Sequence, residues 1–231
     1  MNPTLLFIET ATEVCSVALS KGEEIVASVS SNKGNSHTEH LFPFIEEVLA
    51  KSKYKITEIG GVVLSIGPGS YTGLRIGASA AKGICYALNV PLIGISTLQS
   101  IVFGAKNQQN IEQNALFSPM IDARRMEVFT ALFDANGEAI TDVEAKIIDE
   151  NSFVFELNHN AIYFCGNGMQ KSQSVLQHPN AQFINAPIMA SNMLHPALEK
   201  YKNKQFEVVA YFEPLYFKEY IAKKSPVFRF L

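Results

Sequence analysis

Residues 61–88 read GVVLSIGPGSYTGLRIGASAAKGICYAL, which combines an apolar run, a glycine-rich turn and a segment with small residues at every fourth position. The apolar run at residues 62–66 has the length of a buried strand. The small residues that would share one helix face are Gly73, Gly77, Ala81 and Cys85. Because glycine costs about 1 kcal/mol against alanine inside a helix, this stripe indicates close backbone approach. The stretch therefore predicts a strand, a turn and a helix against which another element packs closely.

The turn at residues 67–73 has two interpretations. A helix N-terminus offers free N–H groups and a positive dipole end, which suits a bound phosphate. The turn lacks the Gly-Lys-Ser/Thr of a Walker A loop, however, and Thr72 stands where the dinucleotide-binding fingerprint has its third glycine. This spacing favours a structural turn over a nucleotide site.

Composition limits the function classes. The chain has 231 residues, is 47% hydrophobic and carries a net charge of −3, which predicts a folded protein of one large or two small domains that does not bind nucleic acid by itself. No apolar run is long enough to span a membrane, and the N-terminal residues lack a signal-peptide pattern. Three widely spaced cysteines in apolar surroundings indicate a reduced, cytoplasmic protein without a disulfide framework.

Periodicity predicts an α/β fold with a mixed sheet. Up to residue 95 the patterns read β-β-β-α-β-α-β, and a second strand hairpin at residues 115–133 begins a weaker recurrence of the same order. Strand 161–165 and helical patterns at 169–177 and 190–201 follow. The polar residues 107–113 separate an N-terminal lobe, residues 1–106, from a C-terminal lobe with a basic tail, residues 107–231.

Two helix starts carry capping signals. Ser36 is the predicted N-cap of the first helix, with Glu39 three residues later as the acid of a capping box. Ser96 is the predicted N-cap of the helix that follows the fifth strand. Both assignments depend on side-chain hydroxyl groups that accept a hydrogen bond from the first helical turn.

Residues 9–12, between two predicted strands, occupy the place where actin-like and sugar-kinase-like ATPases hold phosphate in an acid-x-Gly turn. Ala11 replaces the glycine and Glu9 is the longer acid, and both changes weaken phosphate binding. The candidate weak nucleotide contacts are Glu9, Thr10, Thr12, Gly166 and Gly168. The alternative function is accordingly a small-molecule kinase or ATPase, in which Glu9 or Asp122 organises magnesium.

Other candidate residues have ordinary structural explanations. His37 and His40 share a helix face, but two ligands do not make a metal site, and we interpret both as surface or interface residues. In the run Asp122-Ala123-Arg124-Arg125, the acid and an arginine form either a buried ion pair that fixes a turn or a substrate-recognition site. A thiol enzyme would need an exposed cysteine of low pKa at Cys85 or Cys165.

Six segments together resemble the bacterial TsaB family, also called YeaZ. They are ETAT at 9–12, CSVA at 15–18, HTEHL at 37–41, GPGSYTGLRIG at 67–77, GISTL at 94–98 and DAR at 122–124. EPLY at 213–216 is similar to the Pro-x-Tyr segment near the family's C-terminus. The resemblance implies a two-lobed, actin-like and sugar-kinase-like fold.

The resemblance also implies a function. It predicts a noncatalytic subunit without a cofactor, which binds and activates TsaD, the enzyme that forms N6-threonylcarbamoyladenosine at position 37 of tRNA. TsaD holds its metal with an HxxxH pair, and the two histidines of this chain are one residue too close for that pattern. The implied partners are TsaD and TsaE, with tRNA reached through the complex.

Pairing in the family uses the first two helices of each protein, here residues 37–52 and 73–88, and a homodimer is expected through the same helices when TsaD is absent. The predicted partner-binding residues are His37, His40, Leu41, Phe44, Ile45, Val48, Gly73, Gly77, Ala80, Ala81 and Ile84.

Overall fold

The computed structural model describes residues 2–31, 37–108, 111–112 and 114–218. Its first sheet has the strand order β3-β2-β1-β4-β5. The strands are β1 (Thr4–Glu9), β2 (Cys15–Lys21), β3 (Glu24–Ser31), β4 (Gly61–Ser65) and β5 (Leu92–Ile95). The predicted capping serine Ser36 and the basic tail beyond Lys218 lie outside the described residues.

The register of the first sheet follows from its connections. Short turns join β1, β2 and β3 as an antiparallel meander, in which Thr4 lies opposite Lys21. Helices α1 (His37–Ser52) and α2 (Tyr71–Leu88) make the longer crossovers that bring β4 and β5 in parallel to β1. The predicted β-β-β-α-β-α-β order is confirmed.

The second half repeats this topology. Its sheet has the order β10-β9-β6-β7-β8, so that its strands, counted along the chain, take the same places as those of the first sheet. The strands are β6 (Leu116–Asp122), β7 (Glu127–Thr130), β8 (Glu144–Ile147), β9 (Ile162–Cys165) and β10 (Ala181–Ile184). The crossover helices are short: α4 (Val154–Leu157) and α5 (Met169–Ser172). The helical pattern predicted at 169–177 is therefore helical only in its first turn.

Each sheet is covered on one face by a helix from the other half of the chain. Helix α3 (Thr97–Lys106) packs through Leu98 and Ile101 against the second sheet. A 3-10 turn (Ala190–Met193) and α6 (Leu194–Lys202) pack against the first sheet, opposite α1 and α2. The strands of the two sheets thus separate between residues 95 and 116, whereas the helices that cover them are exchanged, and the division at residue 106 stays a prediction.

Helix α2 begins and ends with local capping contacts. The Ser70 hydroxyl accepts a hydrogen bond from the Gly73 N–H at 3.2 Å, and Asn89 ends the helix in the left-handed conformation. Helix α3 begins where predicted, with Ser96 at the N-cap position, but the Ser96 side chain makes no capping hydrogen bond. Instead, the adjacent Thr97 hydroxyl accepts from the Gly67 N–H at 3.1 Å.

The small-residue stripe of α2 faces the interior of its own lobe. A Cβ atom on Gly73 would lie 2.1 Å from the Thr10 carbonyl oxygen, and one on Gly77 would lie 2.3 Å from the Thr10 hydroxyl oxygen. Ala81 and Cys85 are also buried. The predicted close approach is therefore correct, but the approaching element is the turn after β1. Among the described residues, no helix is long and apolar enough to cross a membrane.

Candidate functional site

A groove of about 610 Å³ runs between α1 and α2 on the outside of the first lobe. Its lining residues are His37, Thr38, Leu41, Phe42, Tyr71, Thr72, Arg75, Ile76, Ser79 and Ala80. Phe42 is 56% exposed at its edge, an unusual exposure for a phenylalanine side chain. The groove is thus an accessible, partly apolar surface on a single chain.

The groove exists because both helices direct their smallest or most apolar face inward. On α1 the buried residues include Leu41, Ile45 and Val48, which pack on the sheet. On α2 the glycines bring the helix close to β1, so that Ile76 and Ser79 remain on the outer side. Two neighbouring helices therefore present adjacent outer faces, and the groove lies between them.

Residues 207–217, which we call the C-terminal strap, run along α2 and border the groove. The Lys82 ammonium donates to the carbonyl oxygens of Ala210 and Phe212 at 3.2 and 3.0 Å. The Tyr216 hydroxyl accepts from Arg75 Nε at 3.1 Å, and the Arg75 guanidinium lies 4.0 Å from the centre of the Tyr71 ring. The Pro-x-Tyr segment singled out in the sequence therefore forms part of the rim.

Most of the predicted partner-binding residues are buried within the chain itself. The buried ones are His37, Leu41, Ile45, Val48, Gly73, Gly77, Ala80 and Ala81, and the half-buried ones are His40, Phe44 and Ile84. Of the eleven, only His37, Leu41 and Ala80 line the groove. The interpretation of the stripe as a partner-facing surface is wrong for Gly73, Gly77 and Ala81, because their faces contact the same lobe.

The structure corrects the interpretation of His37 as a surface residue, although His37 lines the inner side of the groove. Its side chain is buried, and Nε2 lies 2.8 Å from the Thr12 carbonyl oxygen. His40 is half-buried and stacks on Phe44 with ring centroids 5.3 Å apart. The histidines thus help to fix the start of α1.

Sequence reasoning missed the residues that give the groove its accessible surface. They are Thr38, Phe42, Tyr71, Thr72, Arg75, Ile76 and Ser79. A helical wheel of α1 and α2 would have placed them opposite the inward-facing positions. To identify them, the sequence analysis would have needed to know which face of α2 packs against the sheet.

Glu9, at the end of β1, is completely buried. Its Oε1 accepts hydrogen bonds from the Ala11 N–H at 2.7 Å and from the Ser65 hydroxyl at 2.8 Å, while Oε2 has no partner among the described residues. Burial raises the pKa of this carboxyl to about 7, because removal from water penalises the charged form more than the two hydrogen bonds favour it.

The turn that follows Glu9 is filled by protein. The Ala11 carbonyl accepts from the Ser70 N–H at 2.6 Å, and a Cβ on Gly69 would lie 2.4 Å from the same oxygen. Thr10 and Thr12 are buried as well. The structure therefore contradicts the prediction of Glu9, Thr10 and Thr12 as nucleotide contacts, since none of them is accessible to a bound phosphate.

The second glycine turn packs against the end of β6. A Cβ on Gly166 would lie 2.5 Å from the Met120 carbonyl oxygen, and the Gly168 N–H donates to that oxygen at 2.9 Å. Between them, the Asn167 side chain accepts from the Asp122 N–H and donates to Glu13, both at 3.1 Å. The turn thus joins the two lobes, and nucleotide binding by Gly166 and Gly168 stays a prediction.

The prediction of a buried ion pair between Asp122 and Arg124 is wrong. The Asp122 side chain is 49% exposed and pairs with Lys171, while its Oδ1 accepts from the Arg124 backbone N–H at 2.8 Å. Partial burial opposes ionisation of this group, but Lys171 and the Arg124 N–H outweigh it and hold the pKa of Asp122 below its ordinary value.

The thiols are poor candidates for chemistry. Cys15, Cys85 and Cys165 are buried and free, and burial raises the pKa of Cys85 to about 11 and that of Cys165 further. No group of three or more histidine, cysteine, aspartate or glutamate side chains suited to a metal ion occurs in the described part of the chain.

Comparison with known proteins identifies the relatives of this chain. Residues 24–223 match the family model of TsaD, described as tRNA N6-adenosine threonylcarbamoyltransferase. The chain is 29% identical to the Escherichia coli protein TsaB, described as a tRNA threonylcarbamoyladenosine biosynthesis protein, over 96% of this chain and 98% of that one. It is 33% identical to TsaB of Buchnera aphidicola from Acyrthosiphon pisum, over 65% of this chain and 69% of that one.

Two solved structures from Pseudomonas aeruginosa share the fold. YeaZ has a TM-score of 0.78 at 24% identity, with 93% of this chain and 99% of that one covered. A protein described as similar to the peptidase YEAZ has a TM-score of 0.83 at 22% identity, with 94% and 100% covered. Together with the repeated strand order, they establish the two-lobed α/β fold predicted from the sequence.

Proposed function

The chain belongs to the TsaB (YeaZ) family, and from this membership we propose that it is a noncatalytic subunit that binds and activates TsaD. The relatives are named for threonylcarbamoyladenosine biosynthesis in tRNA. In this proposal TsaD performs the chemistry on the tRNA, and the present chain supports it through contact.

The observation that carries the proposal is the groove between α1 and α2. It combines a half-exposed aromatic side chain, Phe42, with the small residues Ser79 and Ala80, which leave room for the side chains of an incoming helix. Both helices are longer than three turns, so they can support a helix-to-helix contact. Exposed apolar area of this kind is typical of surfaces that bind another protein.

The filled turn after β1 supports the noncatalytic part of the proposal. An ATPase of this fold needs that turn open for phosphate, whereas here Gly69, Ser70 and His37 occupy its surroundings. We expect no heat of binding when magnesium-ATP is titrated into the isolated chain. Tight binding would favour the kinase or ATPase alternative instead.

Co-purification with TsaD tests the central proposal. Phe42→Arg and Ser79→Arg each place a charged side chain in the groove, and both starting residues are exposed, so the core of the lobe is unchanged. We expect both variants to lose TsaD, and the tRNA modification that depends on it, while their melting temperatures match the wild type. Ile147→Arg is the matched control, since Ile147 is 70% exposed on β8 of the other lobe. Wild-type pairing by both groove variants would contradict the proposal.

Two further partners follow from the same proposal. Without TsaD, a second copy of the chain occupies the groove, so sedimentation analysis should show a dimer that forms with rising concentration and is lost in Phe42→Arg. TsaE is expected to bind the assembled pair, which a pull-down with and without TsaD tests.

A further inference from the structure

The loop between β6 and β7 carries two adjacent arginines in an unfavourable backbone conformation. Arg124 and Arg125 have φ angles of 76° and 51°, in the left-handed region that glycine and asparagine adopt more readily. The loop is closed by the hydrogen bond from the Ala123 N–H to the Glu127 carbonyl at 3.0 Å. Both arginine residues are exposed. A folding requirement alone therefore does not explain why arginine stands at these two positions.

The positive charge of this loop is only partly offset by its neighbours, since Asp122 attracts Arg124 electrostatically. Asp122 is engaged by Lys171, and Glu127 is engaged by Lys218. Within the described part of the chain, the side chains of Arg124 and Arg125 make no hydrogen bond or ion pair that would compensate them. The chain contains only four arginines and has a net charge of −3, so this pair is a local exception to an acidic molecule.

The C-terminal strap links the loop to the rim of the groove. In the C-terminal strap Tyr216 contacts Arg75 at the groove rim, and two residues later Lys218 pairs with Glu127 at the base of the loop. The Cα atoms of two residues that are two positions apart are at most about 7 Å from each other. The rim of the groove and the base of the arginine loop are therefore joined through one short segment, residues 216–218.

We propose that Arg124 and Arg125 contact backbone phosphates of the tRNA while it is bound to the complex of this chain with TsaD. The inference rests on the proposed function. Guanidinium groups bind phosphate oxygens with two parallel hydrogen bonds, and an exposed pair on a loop suits a backbone contact that fixes orientation without reading sequence. The chain then adds tRNA affinity to the complex in addition to its contact with TsaD.

The test uses the assembled complex and fluorescently labelled tRNA. The double variant Arg124→Asn with Arg125→Gly removes both charges and inserts residues that favour positive φ. We expect its melting temperature to rise by a few degrees while tRNA affinity falls roughly tenfold, and the slope of log affinity against log salt to decrease by about two. A variant whose melting temperature rises while its tRNA affinity falls has not lost binding through unfolding.

Two control variants define the outcome. Arg124→Lys with Arg125→Lys should keep most of the affinity, because it retains both charges. Lys202→Asn with Lys204→Gly removes two exposed charges elsewhere, one of them also at a positive φ of 54°, and should change little. Unchanged affinity and salt slope in the asparagine-glycine variant would overturn the inference.

Co-elution of each variant with TsaD is measured first, and it separates the two proposals. If even the wild-type chain fails to co-elute, the proposed function fails. If the variants co-elute and bind tRNA like the wild type, only the role of the arginine loop fails.

Discussion

The two lobes have the same strand order but very different helices. In the first lobe the crossovers α1 and α2 have 16 and 18 residues, whereas α4 and α5 of the second lobe have four residues each. The same strand order thus forms with crossover helices of very different length. The long helices give the first lobe a continuous outer groove, which the equivalent elements of the second lobe are too short to form.

The two lobes also share a packing contact between a glycine-containing turn and a strand end. In each, a glycine-containing turn after the fourth strand packs against the residues at the end of the first strand: Gly69 against Ala11, and Gly166 against Met120. Where they differ is the acid at the end of that first strand. Glu9 is buried and pairs with no cation among the residues that the structure describes, whereas Asp122 is half-exposed beside Lys171.

The largest expected effect comes from comparing a substitution on the buried face of α2 with one on its exposed face. Gly77→Leu would place side-chain atoms where Thr10 and Leu64 lie within 3.0 Å, so we expect a loss of about 4 kcal/mol or more in unfolding free energy. At Gly83, on the same helix, a Cβ meets nothing within 4 Å. Gly83→Ala should therefore stabilise by about 1 kcal/mol. Urea denaturation measures both, and equal effects would mean that α2 is not held by its glycine face.

A smaller effect concerns the buried acid of the first lobe. Because the folded-state pKa of Glu9, about 7, lies above its ordinary value of 4.5, the native state keeps a proton that the unfolded chain loses. The stability contributed by this group falls as pH rises from 4.5 to 7, by up to about 3 kcal/mol. Glu9→Gln should remove this fall. Denaturation at pH 5 and pH 8 measures it, and parallel pH profiles for variant and wild type would refute the assignment.

The smallest effect is expected for the matching acid of the second lobe, with the opposite sign. The folded-state pKa of Asp122 is lowered, so its contribution is present at neutral pH and is lost as pH falls through that pKa. Because the side chain is half-exposed, Asp122→Asn should cost only a few tenths of a kcal/mol at pH 7. A loss of stability at pH 7 as large as that from breaking a buried ion pair would contradict this prediction. So would a loss that stays the same in acid, because the two acids would then not differ in this way.

Much of the fold was predictable from sequence, because a strand that is buried on both faces is apolar at successive positions. β1 sends Leu6 and Ile8 toward α1 and α2, and Leu5 and Phe7 toward α6, so that its apolar run is continuous. β8 was missed because three of its four residues are exposed at a sheet edge and carry no apolar pattern. Helix α4 was missed because four residues are too few to show a helical period.

The sequence analysis named the two helices that form the groove, but it did not identify the helix faces that line the groove. Periodicity shows that Gly73, Gly77 and Ala81 share a side of α2, yet it does not show what covers that side. A turn more than 60 residues away covers it. For the same reason the burial of His37 depends on Thr12, a contact that no local pattern contains.

The exchange of helices between the lobes has a consequence for synthesis of the chain. The first sheet is complete once β5 ends at Ile95, but the helices that cover its rear face begin at Ala190. At roughly 5–20 residues per second, the ribosome needs about 5–20 seconds to make the intervening segment. During that interval Leu5, Phe7 and Ile93 lack the cover that the C-terminal helices later provide, so this apolar face is open to aggregation until those helices are made.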